Sequence, residues 1–418
     1  MDIIEPNINI NAVIQGELRL APEQALHLYE HASLHDLGRW STAMANRILL
    51  DAGVDPDIRT YVIDRNINHT NVCSAACAFC AFKRDAGDDD AYTLTNEQLQ
   101  RKVQELVDIG GTQILMQGGM HPDLPIEFYE QMLRHLKRAF PQVHIHGFSP
   151  PEFVEFVAVF RIDGFPTTAP LKGHELPWDV WCAKLEAILR RLAAAGLDSI
   201  PGGGAEIFAE KVRKRIGSGK ADARQWLEVM SAAHRLGMFT SATMMFGHIE
   251  SPADRVDHMQ QVRSAQDHAI AQSWPGRYVS FVSWPFQPAN TPLGQIKESS
   301  LSLAGATDYL RTLAVSRLFL DNIGSIGASC VTMGPSIGQL ALFFGANDLG
   351  SVMMEENVVA AAGGGYCLDE QVLCHLIRTA GFLPAQRDNR YSLLKIHDGE
   401  DAADLLVGNW QDHRVGKP

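Results

Sequence analysis

The chain has 418 residues, 46% of them hydrophobic, and its 36 Lys and Arg against 49 Asp and Glu give a net charge of −13. That length can bury a substantial core in one large domain or two ordinary ones, so disorder is not the default. The negative balance opposes non-specific binding to nucleic acid and to anionic membranes, which makes a small molecule the expected partner.

No apolar run reaches the roughly 18 residues of a membrane span, and "MDIIEPNINI" lacks a basic stretch followed by an apolar one, so a cytoplasmic location is expected. Seven cysteines in so long a chain do not suggest a disulfide framework. Where they cluster, they point to a metal or to redox chemistry.

Residues 22 to 52 carry apolar residues at helical spacing and predict a helical cap over 1–56. Strand-like runs then alternate with helix-like ones: "TYVIDRNI" (60–67), "TQILMQ" (112–117), "VHIHGFS" (143–149), "LDSI" (197–200), "FTSATMMF" (239–246), "RYVSFVSW" (277–284), "ASCVTM" (328–333) and a weaker "LGSVMM" (349–354). Between them, "LTNEQLQRKVQELVDIGG" shows a capping pair in Thr95 and Gln98, an apolar face of Leu99, Val103 and Leu106, and a stop at Gly110. Strand and helix repeated about eight times predict a parallel (β/α)8 TIM-type barrel over 57–365, with an open doubly wound sheet as the alternative. Residues 366–418 read as a helical or irregular segment packed on the barrel. In a barrel, functional residues collect just after the strands. Residues 161–180 interrupt the rhythm and read as a long excursion or lid.

The first strand leads into "NVCSAACAFCAFKR", with Cys73, Cys77 and Cys80 on a non-helical loop. A closed zinc site needs four protein ligands in two pairs, and no second pair follows at zinc-finger distance. Three thiolates can hold three irons of a [4Fe–4S] cluster and leave the fourth open. CxxxCxxC with an aromatic, Phe79, before the last cysteine resembles the radical S-adenosylmethionine (SAM) superfamily. That resemblance implies a cluster that delivers one electron to the SAM sulfonium, with the cofactor carrying the hard chemistry. Cys182, Cys330, Cys367 and Cys374 read as core residues.

Other strand ends supply the remaining candidates. "MQGGM" offers Gln117, Gly118 and Gly119, where a superfamily Gly-Gly holds the methionyl amino group, although Met120 stands where an acidic residue is usual. "SIPGGGAEIF" offers Glu206 as an acceptor for ribose hydroxyls, and Ser149 joins the expected SAM contacts. "HIHGFSPPE" and "MMFGHIE" bring His144, His146, Glu152, His248 and Glu250 to the same mouth. His146, His248 and Glu250 are the expected proton-handling groups. Gln287 and Asn290 in "WPFQPANTPL", Asp348 and Glu355 in "GANDLGSVMMEENV", and Asn68 are the expected substrate contacts.

Taken together, "DRNINHTNVCSAACAFCAF", "SIPGGGAE", "ATMMFGHIE", "WPFQPANTPL" and "GANDLGSVMMEENV" resemble the futalosine-pathway radical SAM enzymes of menaquinone biosynthesis, most closely the cyclic dehypoxanthinyl futalosine synthases. The likeness runs from about residue 20 to about 395. The sister aminofutalosine synthases favour "HINPTNVC" and "MLYGHIE", and deazaflavin-forming enzymes share the cluster loop but use a tyrosine-derived substrate. The resemblance implies abstraction of the C4' hydrogen of dehypoxanthine futalosine and attack of the carbon radical on the benzoate ring. Loss of an electron and a proton then completes the reaction. It also implies an external one-electron reductant such as flavodoxin or ferredoxin, and no nucleic-acid or membrane partner. A non-catalytic iron–sulfur protein would not need the glycine-rich strand ends, and a hydrolytic zinc barrel would want His and Asp ligands at strand ends in place of three thiols. Around 161–180 the chain is longer than the family pattern.

Overall fold

Short runs of β-branched and apolar residues, buried on both faces, form the parallel strands, as such strands must when helices cover them. The computed structural model describes residues 8–218, 220–296 and 301–398; parts of the expected cap and C-terminal segment lie outside the described residues. Apart from a two-residue antiparallel pair, Ala76–Cys77 with Gly217–Ser218, the strands are β1 (Ile58–Val62), β2 (Asp64–Ile67), β3 (Gln113–Met116), β4 (His144–Gly147), β5 (Phe239–Phe246), β6 (Arg277–Pro285), β7 (Ser325–Gly327), β8 (Asp348–Ser351), β9 (Leu383–Arg387) and β10 (Leu393–Ile396). One sheet has the order β10-β9-β1-β8-β7-β6-β5 and another the order β2-β3-β4. Because β1 runs into β2 through Ile63, the two sheets are one curved wall, and the expected TIM-type radical SAM barrel is the fold. The helices 22–31 and 34–51 form the N-terminal cap, and Tyr29 reaches Asp308 on the helix Ala306–Phe319 at 2.7 Å.

The wall is not laddered all the way round. The segment expected as a fourth strand, 197–200, makes only an isolated parallel bridge between His146 and Ser199. Between β4 and β5 the seam is closed by single bonds instead, including Gly147 N–H to Ser199 O at 2.9 Å and Gly202 N–H to Ser241 Oγ at 3.1 Å.

A second departure concerns "ASCVTM". The seventh strand is Ser325–Gly327, and Cys330–Met333 is a helical turn. Ser329 turns the chain there, its Oγ 2.7 Å from Thr332 Oγ1, and Gly334, at φ 80°, ends the turn.

Helix starts follow the strand ends closely. Capping boxes at Thr95/Gln98, Ser149/Glu152, Asp222/Gln225 and Ser251/Asp254 satisfy the first free N–H groups of the helices they open.

The far end of the chain closes the barrel floor. Strand β9 pairs in parallel with β1, and β10 pairs antiparallel with β9. The connecting residues turn inward: Arg387 Nε and Nη2 donate to Asp348 at 2.6 and 3.0 Å, and its guanidinium lies 4.0 Å over the Tyr391 ring. Asn389 donates to Ser199 Oγ and to Phe239 O, both at 3.3 Å, and so spans the unladdered seam. Removing one member of a buried ion pair strands the other charge. Arg387→Met is therefore expected to lower stability by about 3–5 kcal/mol. Adding Asp348→Leu should recover part of that loss, as read from the denaturant midpoints of the two variants.

Candidate active site

A cavity of about 490 Å³ runs down the barrel from the cysteine loop at the C-terminal mouth to Arg387, Asn389 and Tyr391 at the floor. Cys73, Cys77 and Cys80 all line it, and all three are free thiols. Backbone bonds fix their loop: Cys73 N–H to Arg84 O at 3.1 Å, Ser74 N–H to Met120 O at 2.9 Å, and Ala78 N–H to Ile216 O at 2.8 Å. A buried carboxylate adds to this, since Glu155 accepts from Ser74 Oγ and from Leu171 N–H, each at 2.8 Å. Burial pushes the Cys77 thiol up to about 12, partly offset by Lys220, and pushes Cys73 up as well. Metal binding must displace those protons.

The donor set fits an iron–sulfur cluster better than a single ion. Among the described residues no three His, Cys, Asp or Glu side chains converge as ligands to one metal ion. Three thiols that share a cavity wall without meeting at a point match a cluster, in which each thiolate takes a different iron.

The glycine pair lies directly against this loop. A Cβ on Gly119 would come 2.0 Å from the Val72 carbonyl oxygen, and one on Gly118 would come 2.3 Å from Cε1 of His69. Only glycine lets the Gly119 backbone approach Val72 so closely, and at Gly118 it leaves room for the His69 imidazole. Gly118 N–H donates to Glu152 Oε1 at 3.1 Å, while Glu152 Oε2 accepts from the Ser149 N–H and Oγ at 2.7 and 2.8 Å. Burial pushes the Glu152 carboxyl up to about 8. Ser149 and Glu152 thus hold the Gly-Gly turn as well as the helix start. Asn68 Nδ2 donates to Gln117 O at 2.9 Å, which fixes the start of the same turn.

Glu206 does not follow its glycine run directly into a helix. It sits in a loop with φ 40°, ahead of the helix Glu210–Ile216. Its carboxylate lines the cavity with Lys220 Nζ at 2.5 Å, and that ammonium lies 4.7 Å from the Phe79 ring centroid. The cavity also takes in Asn68, Gln117, Gly118, Gly119, Ser149, His146, Gln287 and Asp348. Gln287 Nε2 donates to Pro285 O at 3.1 Å. Asp348 reaches the cavity but is committed to Arg387, Thr60 and Gly350 N–H.

Four expected site residues stand elsewhere. Gly247, at φ 82°, turns the chain away after β5, so His248 and Glu250 are buried outside the cavity. Glu250 accepts from Gly247 N–H at 2.6 Å, His248 N–H at 2.9 Å and Arg255 Nε at 2.8 Å. These two groups hold a loop together and do not face substrate. Asn290 is exposed, with Nδ2 on Ala361 O at 3.1 Å. Glu355 is neutralised outside the cavity by Arg65 at 2.8 Å and Lys102 at 2.6 Å. The segment 161–180 does not line the cavity either, so it is no lid over the substrate space.

Other wall residues were not anticipated. Asp64 and Asn66 precede Asn68 at a spacing of two, and all three face inward. That alternation was present in "DRNIN". Lys220, Arg387, Asn389 and Tyr391 carried no such signal, because only the tertiary fold brings them to the cavity.

Comparison with known proteins agrees with this geometry. Residues 67–262 match the Radical SAM superfamily model, and residues 276–399 match the CofH/MqnC C-terminal region. Cyclic dehypoxanthine futalosine synthase of Halalkalibacterium halodurans is 42% identical over 395 residues, covering 94% of this chain and 96% of that protein. The Streptomyces coelicolor protein of the same name is 38% identical, covering 91% and 87%. 5-amino-6-(D-ribitylamino)uracil--L-tyrosine 4-hydroxyphenyl transferase of Methanopyrus kandleri is 40% identical, covering 81% and 85%. Among solved structures, methylornithine synthase superposes with a TM-score of 0.64 at 15% identity, covering 90% of this chain and 97% of that one. The hydrogenase maturase of Carboxydothermus hydrogenoformans gives 0.62 at 14% identity, covering 91% and 79%. These two show the fold alone.

The barrel, the three-thiol loop and the glycine turn beside it are those of a radical SAM enzyme, which works with a [4Fe–4S] cluster and SAM. Within that superfamily the chain belongs to the CofH/MqnC family. No helix among the described residues is long and apolar enough to cross a membrane.

Two outcomes test this geometry. Gly119→Ala should displace the cysteine loop and lower cluster content after anaerobic reconstitution at least severalfold, read from cluster absorbance, whereas Asn290→Ala should leave it unchanged. Burial alone would raise the Glu250 carboxyl, but bonds and charge from His248 and Arg255 and the Gly247 N–H outweigh it and hold the group at about 2. A depressed carboxyl stabilises the fold fully above its ordinary value of 4.5 and loses that contribution as pH falls through about 2. Glu250→Gln should therefore flatten the acid limb of the stability curve between those limits.

Proposed function

We propose that this enzyme converts dehypoxanthine futalosine to cyclic dehypoxanthinyl futalosine, a step of menaquinone biosynthesis. The observation that carries the reading is the end-to-end likeness to a relative of that name, 42% identical across 94% of the chain. In this reading Cys73, Cys77 and Cys80 hold the cluster, the Gln117–Gly119 backbone and Glu206 hold SAM, and substrate lies deeper in the barrel. When bound, the cluster and SAM would supply the one-electron chemistry for hydrogen-atom abstraction from the ribose.

The chain's own residues do the rest. Leu115, Met245, Val282, Trp284, Phe286 and Leu349 give the cavity apolar walls, which keep water and other hydrogen donors from a carbon radical. Asn66 Oδ1 and Gln113 Oε1 are buried acceptors without a protein partner, and both residues line the cavity, so they suit sugar hydroxyls. His146, at the inner wall, is held neutral by burial, which leaves a ring nitrogen free for the ring proton but disfavours a lasting imidazolium. Flavodoxin or ferredoxin in the cytoplasm would deliver the reducing electron.

A second reading is favoured by the 40% identity to the M. kandleri transferase, because unpartnered acceptors suit a ribityl chain equally well. Anaerobic reconstitution with SAM and dithionite separates the two. Dehypoxanthine futalosine should yield 5'-deoxyadenosine and a cyclised product in equal amounts. Release of 5'-deoxyadenosine only with tyrosine and the ribitylaminouracil would replace the cyclase reading by the transferase one.

A further inference from the structure

We propose that Ser199 and His144 form the exit path for a proton taken up in the cavity by His146. The inference rests on the cyclase reading, in which a ring proton must leave a dry pocket.

His144 and His146 lie on one face of β4, and the bridge at the seam sets Ser199 beside them. Ser199 is fully buried, and its Oγ lies 2.6 Å from His146 Nδ1 and 2.6 Å from His144 Nε2. Asn389 Nδ2 donates to the same oxygen at 3.3 Å. A hydroxyl has one proton and two lone pairs. With one lone pair facing the amide, the remaining lone pair and the proton serve the two imidazoles, so one ring donates to Ser199 and the other accepts. Reversing that direction moves one proton from His146 to His144 while every heavy atom stays in place.

The two ends of this chain open to different surroundings. His146 lines the cavity, with Nε2 3.5 Å from Ser241 Oγ. His144 is outside the cavity and only partly buried. It is faced by Asp198, Lys137, Asp388 and Arg390, and His146 is faced by His144 and Arg387. Asp198 and Lys137 form a 2.5 Å ion pair that is itself 32% and 22% exposed, so the path ends at solvent. Other buried histidines lack this continuity. His234 meets only Thr240 Oγ1 and His258 only the Thr243 carbonyl through their Nε2 atoms, and neither lines the cavity.

The step balances as follows. The ring C–H bond breaks, its proton goes to His146 Nε2, and its electron pair stays in the ring. The one electron then in excess of the aromatic sextet leaves to a one-electron iron–sulfur acceptor. The Nδ1 proton of His146 passes to Ser199 Oγ, the Ser199 proton passes to His144 Nε2, and His144 releases a proton to solvent.

The test uses the full-length reconstituted enzyme with dehypoxanthine futalosine. Ser199→Ala and His144→Gln should release 5'-deoxyadenosine in the first turnover within about twofold of wild type. Cyclised product should fall on the order of 100-fold, in the range of general acid–base contributions. Added imidazole should restore product to His144→Ala and not to Ser199→Ala. Product at the wild-type rate in Ser199→Ala and His144→Gln would overturn the relay. Absence of cyclised product from wild type would instead overturn the cyclase reading. A measurement without catalysis stands beside these: imidazole nitrogen-15 shifts of the cluster-free protein should report complementary tautomers for His144 and His146, and His144→Gln should move the His146 signals. Unchanged His146 signals would also overturn the relay.

Discussion

The close approach of Gly119 to the Val72 carbonyl is the contact on which the rest of the site depends. It lets the end of one barrel strand lie flat against the loop that begins at the end of its neighbour. Ser74, whose N–H donates to the Met120 carbonyl, locks the two together. From that junction the thiols, the glycine turn and the helix opened by Ser149 take fixed places around one opening. A larger side chain would separate the metal loop from the turn beside it, and no adjustment elsewhere in the barrel could bring them back.

Charge inside the barrel is balanced nearly pair by pair. Asp348 faces Arg387, Glu206 faces Lys220, and Glu152 is satisfied by N–H and O–H donors. An unpaired ion in such a space costs several kcal/mol, so the charged groups that line it are paired or, like Asp64 and Glu356, held by hydrogen-bond donors. On the cavity wall the amide oxygens of Asn66 and Gln113 are buried without a protein partner. Such atoms bind neutral hydroxyls by hydrogen bonding and shape.

Much of this was legible in the sequence because it is local. The cysteine spacing, the Gly-Gly after a strand and the alternation of strand and helix each involve residues close together in the chain. The inward run Asp64, Asn66, Asn68 obeyed the same local rule and was readable, although only Asn68 was singled out. His248 and Glu250 misled because their closeness to a strand end says nothing about direction, and Gly247 at positive φ turns them away from the cavity. "ASCVTM" misled because a short apolar run fits a strand or a helical turn equally well. The floor could not be read at all, since Arg387 meets Asp348, and Asn389 meets Ser199, only after the chain has closed round the barrel.

The segment 161–180 never meets the cavity, yet its Leu171 N–H shares the Glu155 carboxylate with Ser74, one residue from Cys73. A strut of two hydrogen bonds therefore joins a peripheral loop to the three-thiol loop. Displacing Leu171 loosens the cysteine loop without altering the space for substrate. The durability of the metal centre, and not the choice of substrate, is the property that variation in this segment can adjust.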